Sequence, residues 1–160
     1  KMTKHFMKKS AKRPKKRSAK NPNPVPKKLA MMIATDVERY LDIIGMNHYK
    51  ATVFYVKKNT SEENHCCGEG QVAASATTNM RYLTIRVNIY PYMVDEWKKK
   101  RLHDEDIHEI IAHEVSHVAT QHLYRLATSV YKDDGEMRDS WESLTTIIGR
   151  LVHEVYKSRV

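Results

Sequence analysis

The chain has 160 residues, 41% of them hydrophobic, which is enough for one domain with a modest core. No apolar run approaches the roughly 18 residues of a membrane helix, and the N-terminus lacks the apolar segment of a signal peptide, so the composition excludes a membrane protein and predicts a cytoplasmic location. Cys66 and Cys67 are adjacent and therefore poorly placed for an ordinary disulfide, which excludes a disulfide-stapled scaffold.

The net charge of +9 is distributed unevenly. Residues 1–28 contain 12 of the 28 basic residues and no acidic one, so the other 16 basic residues face 19 acidic ones and residues 29–160 carry about −3. Because dense like charge with few apolar side chains cannot offset the entropy of ordering, we predict a disordered basic arm over residues 1–28 and one domain over residues 29–160. The arm has three interpretations: a solvated tail, a non-specific contact with nucleic-acid phosphates, or an autoinhibitory or address segment.

Hydrophobic periodicity predicts six elements in the order α-β-β-β-α-α. They are a helix over residues 29–46, strands over 50–57, 71–77 and 82–90, a helix from about 104–106 to 127, and a helix over 138–157. The expected fold is α+β, with a small, mainly antiparallel sheet connected as a meander and packed on the helix that begins near residue 104. The final helix is expected to bury an apolar stripe made of Trp141, Leu144, Ile148, Leu151, Val152 and Val155.

The sequence His113-Glu114-Val115-Ser116-His117 lies within the first of the two long C-terminal helices. The i, i+4 spacing puts both imidazoles on one face, one turn apart, where they can share a tetrahedral metal ion. Glu114 projects about 100° around the helix from His113, so its carboxylate can reach a metal-bound water rather than the metal. The motif therefore predicts a zinc site with His113 and His117 as ligands and Glu114 as general base.

The helix that carries the motif has two distinct faces. The face expected to pack on the core consists of Ile107, Ile111, Val115, Val118 and His122. The nearly opposite face consists of Ile110, His113, His117 and Tyr124. A helix with an apolar stripe on one side and histidines on the other fits a position between a core and a cleft.

A catalytic zinc ion usually has three protein ligands, so a third one must lie outside the motif. The long pattern with a third histidine is excluded, because Leu123 and Thr120 stand at its histidine and glycine positions. Glu142 lies 25 residues after His117, near one edge of the apolar stripe of the final helix, which is a half-buried position suited to a ligand. The alternatives are Asp139 as the fallback, Glu136 and His122.

With HEVSH at 113–117 and a glutamate in the following segment DSWESLTTIIGRL at 139–151, the chain resembles the gluzincin metallopeptidases. Its length and element order are similar to those of the minimal gluzincins and of the small HExxH proteins of bacteriophages and prokaryotes, over about residues 29–158. The resemblance implies a minimal zincin-like fold, zinc ligation by His113, His117 and Glu142, and attack on a peptide carbonyl by a water that Glu114 polarises. A phage origin would place the protein in the cytoplasm of an infected host cell.

The chain departs from this family after the expected ligand Glu142. Many gluzincins carry an aspartate shortly after the ligand glutamate, where it orients a metal histidine, whereas Thr145 and Thr146 stand at those positions here. The resemblance also implies that a peptide substrate adds to the edge strand beside the motif helix, and either 82–90 or 71–77 can supply that strand.

The leading expectation is a zinc-dependent metallopeptidase that acts as a monomer on a peptide or protein substrate. Its oxyanion-stabilising residue is open between Tyr131 and Tyr124, while His153 lies three turns from Glu142, too far unless the helix bends. One alternative is a nucleic-acid-binding protein that uses residues 1–28 and has a structural or inactive zincin-like domain; another is an interaction protein without a metal. We interpret His65-Cys66-Cys67 as part of a polar loop, because adjacent cysteines lack the usual two-residue spacing of a zinc site.

Overall fold

A computed structural model describes residues 25–58, 71–130 and 135–159, except for the side chains of residues 122, 129 and 130. Most of the predicted basic arm, His65-Cys66-Cys67 and Tyr131 lie outside the described residues, as does the side chain of His122. Within the described part of the chain, no helix has both the length and the apolar character needed to cross a lipid bilayer.

The described residues form an α+β fold of four helices and a three-stranded sheet. In chain order the elements are α1 (Lys27–Ile43), β1 (Lys50–Tyr55), β2 (Ala74–Asn79), β3 (Thr84–Ile89), α2 (Pro91–Lys98), α3 (Asp104–Val130) and α4 (Gly135–Ser158). Helix α2 was not predicted from the sequence; it begins at Pro91, where the fixed φ of proline suits the first position of a helix. Met93 and Val94 of α2 are buried and belong to the core.

The sheet is mixed, and the predicted antiparallel meander is wrong. The strand order is β1-β3-β2, with β1 parallel and β2 antiparallel to β3. We attribute the central position of β3 to its three inward side chains, Ile85, Val87 and Ile89. They are at most 1% exposed, and a strand on each side of β3 helps to exclude water from them. This order leaves β2 at an edge of the described sheet, next to α3.

The core lies between the sheet and helices α1 and α3. The predicted packing face of α3 is confirmed for its four described members, Ile107, Ile111, Val115 and Val118, which are at most 3% exposed. They meet buried residues of α1 and the sheet, among them Leu29, Ile33, Val37, Tyr40, Ile85, Val87 and Ile89. The motif helix is therefore fixed by its apolar face, and its histidine face is turned toward α4.

The final helix α4 buries only part of its predicted stripe: Val152 is buried and Ile148 is half-buried against the core. Leu144, Leu151 and Val155 of the predicted stripe are exposed. The buried residues of α4 are Thr145, Gly149, Val152 and His153. Gly149 lets the two helix backbones approach closely, and the side of α4 that carries Thr145 and Gly149 is buried rather than the side that carries Leu151. Glu142 lies on the same side of α4 as Thr145 and Gly149, and this side faces α3.

Candidate metal centre

Three side chains that the sequence predicts as metal ligands converge between α3 and α4. His113 and His117 lie one turn apart on α3, with ring centroids 4.9 Å apart. Glu142 reaches them from α4, with its Oε2 at 3.5 Å from His113 Nε2 and 3.7 Å from His117 Nε2. The ligand atoms of the three residues lie within 4.8 Å of one another, so this group, the His-His-Glu cluster, could hold a metal ion.

A close helix crossing places Glu142 in the cluster. A Cβ atom at Gly149 would lie 2.9 Å from the Cα and 3.1 Å from the backbone nitrogen of His113, so only glycine fits without a shift of the backbone. Glu142 precedes Gly149 by two helical turns and therefore points along the same side of α4. Glu136 and Asp139 are exposed and do not belong to the cluster.

The charges around the cluster favour a cation. Burial lowers the pKa of His113, but the hydrogen bond to Glu142 and the charges of Glu114 and Glu142 outweigh burial, so the pKa lies above its ordinary value. Carboxylates that draw a proton onto an imidazole attract a metal cation for the same coulombic reason. Two imidazole nitrogens with one carboxylate oxygen are a donor set suited to first-row divalent metals.

A threonine hydroxyl stands beside His113 where the family resemblance leads one to expect a carboxylate. Thr146 Oγ1 lies 3.4 Å from His113 Nδ1, so the hydroxyl oxygen can accept the Nδ1 proton and leave Nε2 free for the cluster. Thr145 turns to the other side, where its Oγ1 lies 2.9 Å from Thr120 Oγ1. Of the two threonines at the positions where the resemblance implies an aspartate, Thr146 is the one beside His113.

Two aromatic rings lie beside His117: Tyr124, which the sequence places on the same face of α3, and Trp141 of α4, whose contact was not predicted. The Trp141 ring lies 4.8 Å from the His117 ring, and the Tyr124 ring stacks on the indole at 4.3 Å. The indole Nε1 donates a hydrogen bond of 2.9 Å to Thr120 Oγ1, which fixes the orientation of the ring. The available signal was the spacing of Trp141, Thr145 and Gly149, because residues four apart on a helix lie on one face, here the face that packs on α3.

Glu114, the predicted general base, is only 7% exposed. Its pKa is raised to about 7, mainly by burial and also by the charge of Glu142, against the lowering effects of His113 and of a hydrogen bond from the Ala76 backbone N–H. The bond to Ala76 connects the motif helix to β2. A carboxyl group with a pKa near neutral can both accept and release a proton at physiological pH.

A cavity of about 400 Å³ opens beside the His-His-Glu cluster, between α3, α4 and the residues that lead into β2. His113, Glu114, Glu142 and Thr146 line it together with Gln71–Ala74. This volume falls in the range of small-molecule and side-chain binding pockets. A substrate group bound there would lie directly against the cluster and the general base.

His153 lies in the wall of the same cavity and is 2% exposed. Its Nδ1 is 3.1 Å from the Tyr40 hydroxyl and its Nε2 is 2.9 Å from Glu105 Oε1, so both ring nitrogens are engaged and the oxyanion role does not fit this residue. His153, Glu105 and Glu109 form a second group of residues that could hold a metal ion. The ammonium of Lys157 lies 2.7 Å from Glu105 Oε1 and already supplies a positive charge there.

Comparison of the chain with protein-family models, with curated proteins and with solved structures found no match. The chemistry of the site is therefore inferred from the side chains that the fold brings together. Those side chains are two imidazoles and a carboxylate in one cluster, with a second, buried carboxylate at its side.

Proposed function

We propose that the chain is a zinc-dependent metallopeptidase that hydrolyses a peptide bond in a peptide or protein substrate. The observation that carries the proposal is the convergence of His113 Nε2, His117 Nε2 and Glu142 Oε2 from the two successive helices α3 and α4. Two histidines and one glutamate are a ligand set of catalytic zinc sites, which keep a further position for water or substrate. The proposal extends to a zincin-like arrangement of the α3–α4 pair and β2.

In this proposal His113, His117 and Glu142 hold the ion, which when bound supplies a Lewis acid for the substrate carbonyl and an activated water as nucleophile. Glu114 takes the proton from the attacking water and delivers it to the leaving amine. Its pKa of about 7 suits both transfers, because a general base works best when its pKa lies near the working pH. Thr146 holds His113 in the tautomer that presents Nε2 to the ion.

Among the described residues, one edge of β2 pairs with no strand, and this open edge supports a substrate position. The Tyr90 N–H donates to the Ala73 carbonyl, so in the antiparallel alternation Ala73 and Ser75 bond to β3 and the backbone groups of Ala74 and Ala76 point to the open edge. The Ala76 N–H bonds to Glu114, which puts this edge next to the general base. We infer that an extended peptide pairs with β2; β3, the other strand considered from the sequence, is central.

The substitution Glu114→Gln tests the mechanism. Glutamine keeps the shape and the acceptor for the Ala76 N–H but cannot take a proton, so zinc content should stay near that of the parent protein. Cleavage of an unstructured protein substrate such as casein should fall at least about 100-fold. Unchanged cleavage in a variant that still binds zinc would contradict the assigned role of Glu114.

The substitution Glu142→Gln tests the third ligand, with Asp139→Asn as the matched control because Asp139 is exposed and outside the cluster. The parent protein and the Asp139 variant should each retain about one zinc per chain after purification without chelator. The Glu142 variant should lose most of it. Loss of zinc from the Asp139 variant alone would assign the ligand to Asp139 and refute the cluster.

A further inference from the structure

Charge is segregated between the two layers of the fold. Every Asp and Glu among the described residues lies in one of the four helices. Residues 45–58 and 71–90, which contain the sheet, have no acidic residue and carry five basic ones: Lys50, Lys57, Lys58, Arg81 and Arg86. The described sheet layer is therefore cationic, although residues 29–160 as a whole carry about −3.

The sheet keeps one face free of helices in the described structure, since the core residues of α1 and α3 pack against its other face. On this face the strands pair in register Thr52–Arg86 and Phe54–Asn88, then Arg86–Thr77 and Asn88–Ser75. These six side chains define the outer sheet face, and all are exposed or half-buried. The face thus combines a cation, an aromatic ring, an amide and several hydroxyl groups, with no carboxylate among them.

Two exposed aromatic rings of the sheet layer, Phe54 and Tyr82, each lie next to an arginine. Phe54 is 45% exposed, and the guanidinium of Arg86 lies 3.9 Å from its ring centre. In the turn between β2 and β3, Tyr82 is 67% exposed, with the guanidinium of Arg81 5.7 Å from its ring. The side chain of Asn88 donates to Ser75 and accepts from Arg86, which arrays hydrogen-bonding groups beside Phe54.

We propose that the outer sheet face binds single-stranded nucleic acid. Phosphates are attracted by Arg86 and the neighbouring lysines, and no described carboxylate of the sheet layer repels them. Unpaired bases can stack on Phe54 and Tyr82, because every base has a π-face, whereas the bases of a duplex are already stacked and out of reach. The amide and hydroxyl groups of the face can bond to base edges. This proposal is independent of the metallopeptidase proposal, since the face lies on the side of the sheet away from α3.

The test is fluorescence anisotropy of a labelled oligothymidine about 12 nucleotides long, titrated with the full chain and its variants. Phe54→Leu removes the ring but keeps an apolar side chain, and Arg86→Gln removes the charge. Each should weaken binding about tenfold. The Arg86 variant should also reduce the slope of log K against log salt concentration by about 0.7, as expected for the loss of one phosphate contact on a single strand.

Arg125→Gln is the matched control, because it removes the same charge from an exposed position on α3 and leaves the sheet unchanged. All proteins retain residues 1–28, so binding by the basic arm contributes equally to each. The control should bind within about twofold of the parent chain. If the Phe54 and Arg86 variants, shown by circular dichroism to be folded, bind as tightly as the Arg125 variant, the outer sheet face does not bind nucleic acid. Zinc content and cleavage should be the same in all of them, so this outcome is read separately from the peptidase.

Discussion

Replacing Glu114 by glutamine should stabilise the metal-free protein at neutral pH by about 3 kcal/mol. The carboxyl group is almost fully buried, and its pKa of about 7 in the folded protein compares with 4.5 for an unperturbed glutamate. Each unit of this pKa difference corresponds to about 1.4 kcal/mol, which is the free energy of unfolding lost when the folded state must hold the group charged. Glutamine has no proton to lose and keeps the oxygen that accepts the Ala76 N–H.

The sign of the effect fixes its pH dependence. Because the folded-state pKa of Glu114 is raised, the unfolded chain releases the proton first as the pH rises, and stability falls between about pH 4.5 and about pH 7 and then stays level. The glutamine variant lacks this fall. The difference in unfolding free energy between the two proteins should therefore be near zero at about pH 4 and complete at about pH 8.

Urea unfolding followed by circular dichroism, with chelator present and at several pH values, measures this difference directly. For a chain of this size, about 3 kcal/mol corresponds to a rise in Tm of about 6–12 °C. A difference that does not change with pH would refute the burial of a proton-binding carboxyl at this position. A variant less stable than the parent at pH 8 would refute it as well. The predicted outcome would show that the fold holds the Glu114 carboxyl buried at a cost in stability.

Two further substitutions test the packing around the cluster. Gly149→Ala should destabilise the protein by about 1–3 kcal/mol and lower its zinc affinity, because the added Cβ would collide with the His113 backbone. Gly135→Ala is the control, since nothing lies within 4 Å of its Cβ position. Equal stability of the two variants in urea would rule out the close crossing of α3 and α4. Thr146→Val should weaken zinc binding about 10- to 100-fold, measured by competition with a chromophoric chelator, because it removes the acceptor for His113 Nδ1. Thr146→Ser keeps the hydroxyl and should therefore bind zinc as tightly as the parent protein. Parental zinc affinity in the valine variant would show that the hydroxyl does not orient His113.

Several features of the fold followed from local sequence alone. The apolar period of α3 placed Ile107, Ile111 and Val115 on the buried face, and the alternation in β3 marked a strand with one buried side. Strand order could not be predicted in this way, because the central position goes to the most apolar strand, and finding it requires a comparison of the burial of all three strands. The stripe of α4 was predicted only in part: Val152 is buried as expected, whereas the close approach of α3 at Gly149 buries the side that carries Thr145 and leaves Leu151 exposed.

The sequence by itself determined that His113, Glu114 and His117 share one helix with fixed angular relations, because helical geometry relates residues that are three and four apart regardless of the rest of the chain. It also determined that a third ligand had to come from outside the motif. Only the tertiary structure decided that Glu142 reaches the histidines and that β2 lies at an edge of the described sheet. These are relations between different elements, and they depend on how closely backbones approach and on how strands pair, which local periodicity does not encode.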